Sequence, residues 1–368
     1  MKVQQSFCLG LLRILILLIL FAELLCPMIG GHAHSATFGT GEYILFERGG
    51  NAYRMNADGN GVRLIVKLAE QPYCSSTGDG IVFLRLGRDP TGKDLFWTDP
   101  LGTSVQRLTR GLFVTGSPSV SSRGIVAFVS GYSGALALYT LRVTDGIAVQ
   151  HGNGFAEVRS VQWSPDGKYL GFVATREKGL DRKWAYSVLD YDSGIIKQIA
   201  ETGYFSPSLS WSPDGASVAL FRNGLEVVDM KTSSNRLLPR PMGLLHDVTW
   251  SPNGQYLALV QNDEQCGRFT GSIYVVRLSD NTEKKVSNPS NRWFSCRDYH
   301  SPRWSPDGTR MIFLAFRPRG DMAFIPFTKY IWDNIYIVNR DGTGQTNLSG
   351  NEDVRDEHPM WCKESSKN

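Results

Sequence analysis

The sequence has little of what marks several large classes of protein. It contains no run of five or more basic residues and its formal net charge is only +4, so the charge pattern of a nucleic-acid-binding surface is missing. It contains no Gly-x-Ser-x-Gly motif, which serves as the nucleophile elbow of α/β-hydrolases. The apolar run at residues 14–22 has nine residues, too few to cross a bilayer by itself.

Glycine and proline, in contrast, are plentiful, with 38 and 17 residues in a chain of 368. This composition is typical of many short strands joined by tight turns, and it predicts an all-β protein.

Residues 1–36 differ in kind from the rest of the chain. Lys2 and Arg13 precede the apolar run, and small residues follow it up to Ala33 and Ala36. This layout predicts a secretory signal peptide cleaved near Ala33 or Ala36, with an uncleaved signal anchor as the alternative. We therefore expect an exported protein, periplasmic or secreted, with membrane contact only through an uncleaved N-terminal segment.

A pentapeptide repeat organises the remaining residues, 37–368. Trp-Ser-Pro-Asp-Gly occurs at residues 163–167, 211–215 and 304–308, and Trp-Ser-Pro-Asn-Gly occurs at residues 250–254. Each residue of Ser-Pro-Asp-Gly fits its slot in a type I turn, and an apolar strand follows each copy. An aromatic third strand and a polar fourth strand complete the unit, which predicts the four-stranded blade of a β-propeller.

The number of blades depends on the degenerate copies. Residues 74–78 and 120–124 keep the register of the repeat without its tryptophan, and residues 41–46 take the role of a second strand. The chain ends in a lone first strand, residues 358–361, which can be satisfied only by pairing with the N-terminal unit. We therefore predict seven blades closed by the C-terminal strand, with six blades as the alternative.

Four cysteines follow the leader, namely Cys74, Cys266, Cys296 and Cys362. An even number in an exported chain predicts two disulfides. Cys266 and Cys296 fall in loops of neighbouring repeats, and a bridge across their 30-residue separation would stabilise the fold by roughly 3–4 kcal/mol. The alternative is four free thiols, two of them buried.

The repeat resembles that of the TolB-like, WD-repeat-like propellers of bacterial envelope proteins. The resemblance rests on Trp-Ser-Pro-Asp-Gly, on residues 335–349 and on Asn-Ala-Asp-Gly-Asn-Gly at residues 56–61, and it covers the chain after the leader. TolB itself carries a separate N-terminal α/β domain, which we expect to be missing here. Similar propellers serve as protein-binding platforms, as gates on serine peptidases and as lyases, so the resemblance implies a fold and not one activity.

The longest loops predict a recognition surface. They span residues 261–272, 287–301 and 315–333, all in blades six and seven, and combine arginine with aromatic residues, a composition typical of binding hot spots. The predicted contact residues for an envelope protein or a glycan are Arg268, Arg292, Trp293, Arg297, Tyr299, Arg317, Arg319, Tyr330 and Trp332. The alternative is that aromatic residues such as Trp332 pack their loop onto its own blade.

Three histidines form the second candidate site. His246, His300 and His358 each lie three or four residues before a first-strand tryptophan, on blades six, seven and one. Oligogalacturonate lyases are similar propellers that bind a divalent metal through histidines and a glutamine, so the resemblance makes a metal-dependent carbohydrate-active enzyme the alternative function. Loop positions do not fix the direction of a ligand, and the three residues are otherwise ordinary polar loop ends. The main expectation is a binding protein without cofactor or catalytic residues.

Overall fold

The structure is a computed structural model that describes residues 41–87, 92–132, 134–179, 182–202, 208–222, 224–239, 245–262, 271–287, 298–317, 332–350 and 354–364. The predicted leader lies outside these residues. In the described ranges, no helix has the length and apolar character needed to span a membrane.

The described chain forms 28 strands. In chain order they are β1 (Glu42–Arg48), β2 (Asn51–Met55), β3 (Arg63–Val66), β4 (Glu70–Cys74), β5 (Ile81–Leu86), β6 (Lys93–Thr98), β7 (Val105–Arg107), β8 (Val114–Val120), β9 (Ile125–Ser130), β10 (Ala137–Arg142), β11 (Val149–His151), β12 (Glu157–Trp163), β13 (Tyr169–Thr175), β14 (Trp184–Asp190), β15 (Ile196–Thr202), β16 (Leu209–Trp211), β17 (Ser217–Phe221), β18 (Leu225–Asp229), β19 (Asn235–Leu237), β20 (Leu245–Trp250), β21 (Tyr256–Asn262), β22 (Gly271–Arg277), β23 (Glu283–Lys285), β24 (Asp298–Trp304), β25 (Arg310–Arg317), β26 (Trp332–Asn339), β27 (Thr346–Asn347) and β28 (Asp356–Lys363).

Seven four-stranded antiparallel sheets account for all of these strands. Blade 1 has the order β28-β1-β2-β3, and each following group of four, from β4–β7 to β24–β27, forms blades 2 to 7. The predicted all-β, seven-bladed propeller is confirmed, and the six-bladed alternative is wrong. Each blade begins at the channel with its inner strand and ends at the rim.

Ring closure also follows the prediction. The C-terminal strand β28 pairs with β1, with Tyr43 opposite Cys362 and Ile44 opposite Trp361. Beyond the strand, the Glu364 N–H donates to the Gly41 carbonyl at 2.5 Å. Blade 1 is therefore built from both ends of the described chain, and the ring has no open sheet edge between its first and last units.

The Ser-Pro-Asp-Gly turns are held by their own side chains. In blade 4, Ser164 Oγ donates to Asp166 Oδ1 at 2.6 Å, and the Tyr169 N–H donates back to Ser164 Oγ at 2.9 Å. The Gly167 N–H donates to the Ser164 carbonyl at 2.9 Å. The same pattern recurs at Ser212, Ser251 and Ser305. The aspartates of these turns are structural, as the sequence predicts.

Turns of adjacent blades lie against one another. A Cβ placed on Gly215 would come within 3.7 Å of Asp166 in the preceding blade, and one on Gly308 within 3.5 Å of Pro252. These turns therefore share one face of the ring, which we call the turn face. The connections from second to third strands and from blade to blade leave the opposite ends of the strands, and we call that side the loop face.

Hydrophobic cores lie between the blades. Seven clusters of buried side chains are found among the described residues, one for each pair of adjacent blades. Between blades 4 and 5, for example, Tyr169 stacks on Trp211 with ring centroids 6.1 Å apart. The Trp211 indole donates to the Gln162 carbonyl at 3.1 Å, and Trp304 donates in the same way to Thr249 at 3.2 Å. The repeat tryptophan thus joins its blade to the one before it.

A disulfide joins two of the four candidate cysteines. Cys74 at the end of β4 is bonded to Cys362 in β28, with their Cα atoms 6.0 Å apart. The bond links the inner strands of blades 1 and 2, and the alternative of four free thiols is wrong. Cys266 and Cys296 lie outside the described residues, so their pairing stays a prediction.

Replacing Cys74 and Cys362 together with alanine should destabilise the ring strongly. The bond closes a loop of 288 residues, and chain entropy alone assigns such a cross-link about 5 kcal/mol. The melting temperature of the variant should fall well below that of the oxidised protein, and reducing the parent protein should lower its melting temperature at least as far. Equal melting temperatures for the variant and the oxidised parent would contradict this account.

Candidate functional site

Within the described residues, a bulge interrupts the inner strand of six blades. At this point one residue adopts a left-handed backbone, and the pairing register with the second strand shifts. The residues concerned are Gln71, Gly116, Ser160, Asp247, Ser301 and His358. A left-handed conformation costs a residue other than glycine about 1 kcal/mol or more, and bulges often turn side chains towards a functional site. Here they gather polar side chains around the channel at its loop-face end.

The bulges surround a channel lined by the inner strands of all seven blades. Its volume is about 750 Å³, and it extends from the bulge residues to Pro252 in a turn of the turn face. A cavity of this size suits a small organic molecule or a short chain segment. The centre of the ring is therefore a possible binding space in its own right.

An acid–base network lies beside the channel mouth, where blades 7 and 1 meet. His300 Nε2 is 3.2 Å from Asp333 Oδ1, and Asp333 Oδ2 accepts from Arg355 Nε at 3.2 Å. Arg355 Nη2 lies 2.9 Å from Glu357 Oε1. Only 8% of the Asp333 side chain is exposed, so contacts with His300 and Arg355 have to replace the water that would otherwise solvate its charge.

The pKa values of this network follow from burial and from the partners. Burial opposes ionisation of Asp333, but the hydrogen bonds and charges of His300 and Arg355 lower the pKa of its carboxyl below the ordinary value. Burial likewise opposes the imidazolium of His300, yet the contact with Asp333 raises the pKa of His300. Burial, with the nearby Glu47 and Asp333 charges, raises the pKa of Glu357. In this network the pKa of Asp333 is therefore lowered and the pKa of His300 is raised. The pKa of Glu357 is also raised, so this carboxyl retains its proton more readily than an ordinary glutamate.

Glu47 connects the mouth to blade 2. Its Oε2 accepts the Gln71 N–H at 2.8 Å and lies 3.3 Å from His358 Nδ1. Burial raises the pKa of Glu47, but His358 and the Gln71 N–H outweigh it and lower the pKa overall. Two neighbouring bulge residues therefore share one carboxylate, which fixes their backbones at the channel rim.

Blade 4 carries a second charged group at this end of the channel. Glu157 contacts both Arg159 and Arg182, the latter at 2.6 Å. The two guanidinium groups flank the buried Trp184 ring at 5.0 and 4.9 Å from its centroid. Cation–π contact and ion pairing together hold these arginines in place.

The predicted histidines are partly brought together. His300 and His358 lie on blades 7 and 1 near the mouth, but each contacts its own carboxylate, Asp333 and Glu47 respectively. The backbone of His246 lies in β20, and its side chain lies outside the described residues. In the part of the chain that the structure describes, no three His, Cys, Asp or Glu side chains are grouped to hold a metal ion.

The predicted contact residues fall largely outside the described part. Tyr299 is described, and the structure buries it to 3% exposure in the core between blades 6 and 7, with its ring edge against Phe313. Arg317 and Trp332 belong to β25 and β26, but their side chains are not described. The residues outside the described ranges are Arg268, Arg292, Trp293, Arg297, Arg319 and Tyr330. Their role stays a prediction.

Sequence reasoning missed Glu47, Asp333 and Arg303 as candidates. A usable signal was present, because in five of the blades the bulge residue stands three residues before the position of the repeat tryptophan, as His358 does before Trp361. Asp333 could not be found this way, since its link to His300 crosses 33 residues.

No model of a known protein family matches the chain. A Tricorn protease homolog of Saccharolobus solfataricus is 26% identical over 291 residues, which cover 73% of this chain and 24% of that protein. A TolB homolog of Chlorobium luteolum is 29% identical over 166 residues, which cover 43% of this chain and 34% of that protein. The chain spans about a quarter to a third of the length of the curated relatives it matches.

Among solved structures, TolB from Acinetobacter baumannii matches with a TM-score of 0.53 and 17% identity, covering 78% of this chain and 67% of that one. In fold, this chain is a TolB-like β-propeller. An oligogalacturonate lyase from Vibrio parahaemolyticus shares the propeller fold, with a TM-score of 0.57 and 13% identity over 83% of this chain and 85% of that one. At these identities the likeness concerns the fold and leaves the activity of the TolB-like propeller open.

Replacing Asp333 with asparagine should lower the pKa of His300. Without the carboxylate, burial of the imidazole is no longer compensated, so the neutral ring is favoured. Titration of the His300 ring followed by NMR measures the change. The matched control is Asp58→Asn, which removes an exposed charge from a distant turn of blade 1 and should leave the titration unaltered. An unchanged His300 midpoint in Asp333→Asn would contradict the pairing.

Proposed function

We propose that this TolB-like propeller is an exported protein that acts as a binding platform in the cell envelope, with the loop face around the channel mouth as its binding surface. The observation that carries the proposal is the set of six inner-strand bulges, which place polar side chains around one end of the channel. Strained residues that lie close together often mark a functional surface.

The charges of the loop face support a polar partner surface. The networks around Asp333, Glu47 and Glu157 are all half-buried and internally paired, so they form a fixed pattern of donors and acceptors. Fixed polar groups lose little entropy on binding and confer specificity through complementary charge.

Three of the predicted contact residues belong to chain segments whose flanking strands end on the loop face. Strands β21 and β22 end and begin on the loop face at Asn262 and Gly271, and β25 and β26 do so at Arg317 and Trp332. Arg268, Arg319 and Tyr330 belong to the segments between these strand ends. Arginine and aromatic residues beside a polar rim are the composition of a protein-binding or glycan-binding surface. An envelope protein or glycan is therefore the proposed partner.

Export is supported by the disulfide. Cys74 and Cys362 are bonded, and such bonds persist in the periplasm or outside the cell, whereas the cytosol keeps thiols reduced. The proposal combines this bond with the predicted signal peptide and with the fold that the chain shares with TolB.

The binding role can be tested by replacing Arg292 and Trp293 with alanine. Partners cross-linked to the exported, tagged protein in a bacterial envelope would be identified by mass spectrometry, and their affinity would be measured with purified components. Loss of an arginine and an aromatic anchor should weaken binding by roughly tenfold or more.

The matched control is Lys231→Ala with Ile195→Ala, which removes one exposed cation and one exposed apolar side chain from the third-to-fourth-strand turns of blades 5 and 4, away from the loop face. Affinity should be retained in this control, and both variants should melt close to the parent. Equal affinities for the parent and the Arg292/Trp293 variant would refute the loop-face assignment.

A second candidate function is a metal-dependent carbohydrate-active enzyme. It is favoured by the position of His358 in the channel lining, by the pairing of His300 with Asp333 on the neighbouring blade, and by the fold shared with an oligogalacturonate lyase. The test is incubation with oligogalacturonate and Mn²⁺, with the unsaturated product followed by its ultraviolet absorbance. Product that requires Mn²⁺ and is lost in His300→Ala with His358→Ala would establish this function in place of simple binding.

A further inference from the structure

The channel has two unlike walls. On blades 6, 7, 1 and 2, which are consecutive in the ring, it is lined by the aromatic residues Trp250, Trp304, Trp361 and Tyr73. On blades 3, 4 and 5 its described lining has no aromatic residue and combines small polar residues such as Thr115 and Ser160 with aliphatic residues such as Val161 and Leu209. The repeat tryptophans Trp163 and Trp211 of blades 4 and 5 do not line it, whereas Trp304 does, although it is as deeply buried between blades as they are. The seven blades therefore share one backbone architecture, but the side chains that line the channel differ between the two sides of the ring.

Most charged residues in the channel wall already have an ion-pair or hydrogen-bond partner. Glu157 is paired with Arg159 and Arg182. Asp247 accepts the Ser301 N–H at 3.0 Å, and His358 contacts Glu47. These groups hold the bulges and the mouth in place.

Arg303 differs from them. It lines the channel, is exposed, and donates from Nη1 to the carbonyl of Pro302 at 3.2 Å. In the described part of the chain it has no carboxylate partner within ion-pair distance. It also lies on blade 7, between the blades that carry Trp250 and Trp361.

The position of Arg303 in the repeat shows that the fold does not need it. It directly precedes the last residue of its inner strand, Trp304. The equivalent residues of the other blades are Tyr73, Ser119, Gln162, Ser210, Thr249 and Met360, none of them charged. In two blades this residue is a serine whose Oγ accepts the backbone N–H of the next blade's tryptophan. In those two blades a serine meets the structural role, and Arg303 is the one charged residue among the seven equivalent positions.

We propose that the channel binds a small organic carboxylate with a flat apolar face, with Arg303 as its anchor. The guanidinium offers a fork of donors that matches a carboxylate, and the aromatic wall offers apolar surface for a flat ring. The volume of about 750 Å³ accommodates a molecule of this kind. The site goes beyond the proposed loop-face platform, since its residues lie inside the channel.

The experiment measures binding of 2-naphthoate and of its neutral isostere 2-naphthamide by isothermal titration calorimetry. The parent protein should bind naphthoate about tenfold more tightly than the amide, because only the carboxylate engages the guanidinium. Arg303→Gln should lower naphthoate affinity about tenfold and leave amide binding unchanged. Arg303→Lys, which keeps the charge but loses the fork, should fall between the two.

Two further variants test separately the contribution of the Arg303 charge and that of the free space in the channel. Arg63→Gln removes an exposed arginine from the rim strand β3 and should bind naphthoate as the parent does. Thr115→Trp places a bulky side chain in the channel from blade 3 without changing the charge of the channel. It should abolish binding of both probes, while circular dichroism shows that the protein stays folded. The Arg292/Trp293 variant should bind naphthoate normally, so that failure of the loop-face platform and failure of this site are distinguishable.

Three results would overturn the proposal. They are no naphthoate binding to the parent protein at millimolar concentrations, equal affinities for acid and amide, and equal losses in Arg303→Gln and Arg63→Gln.

Discussion

Pairing of β28 with β1 is the constraint on which the rest of this structure depends. Seven sheets whose cores lie between neighbours can bury all their apolar faces only if the last blade meets the first. The contacts at this seam are correspondingly varied. Arg48 forms an ion pair with the fully buried Asp356 at 2.6 Å, Arg54 reaches Glu364 at 2.5 Å, and Cys362 is bonded to Cys74. The covalent link resists opening of the ring at the place where the chain itself is discontinuous.

The same seam contains the acid–base network, so closure and the candidate site share residues. The stabilising contribution of Asp333, whose folded pKa is lowered, is complete above its ordinary value of 3.8 and is lost as the pH falls through the folded pKa. That of His300, whose folded pKa is raised, is complete below 6.5 and is lost as the pH rises through the folded pKa. Between these limits both groups are charged, and the seam between blades 7 and 1 is held most firmly. A partner that binds at the mouth would therefore meet a surface whose order depends on pH.

The sequence allows the number of blades, the closing strand and the turn chemistry to be predicted because these features are local. Ser164 and Asp166 are two residues apart, and their hydrogen bonds do not depend on the rest of the fold. The site is less predictable, because the pairing of His300 with Asp333 is set by strand register across a long loop. Tyr299 illustrates the limit. Its sequence neighbourhood is typical of a loop, yet it is the second residue of β24 and its ring faces the core.

In a repeat protein, the residues shared by all repeats are constrained by packing between neighbouring units. Residues with a specific function therefore occur where the repeats differ. The tryptophans show that even identical motifs diverge. Trp211 is buried against blade 4, whereas Trp250 donates to the Gly254 carbonyl of its own turn and borders the channel. The differences accumulate on blades 6, 7 and 1, where the aromatic wall, the acid–base network and Arg303 occur together. The longest predicted loops also belong to blades 6 and 7, so the predicted recognition loops, the acid–base network and Arg303 fall on one arc of the ring.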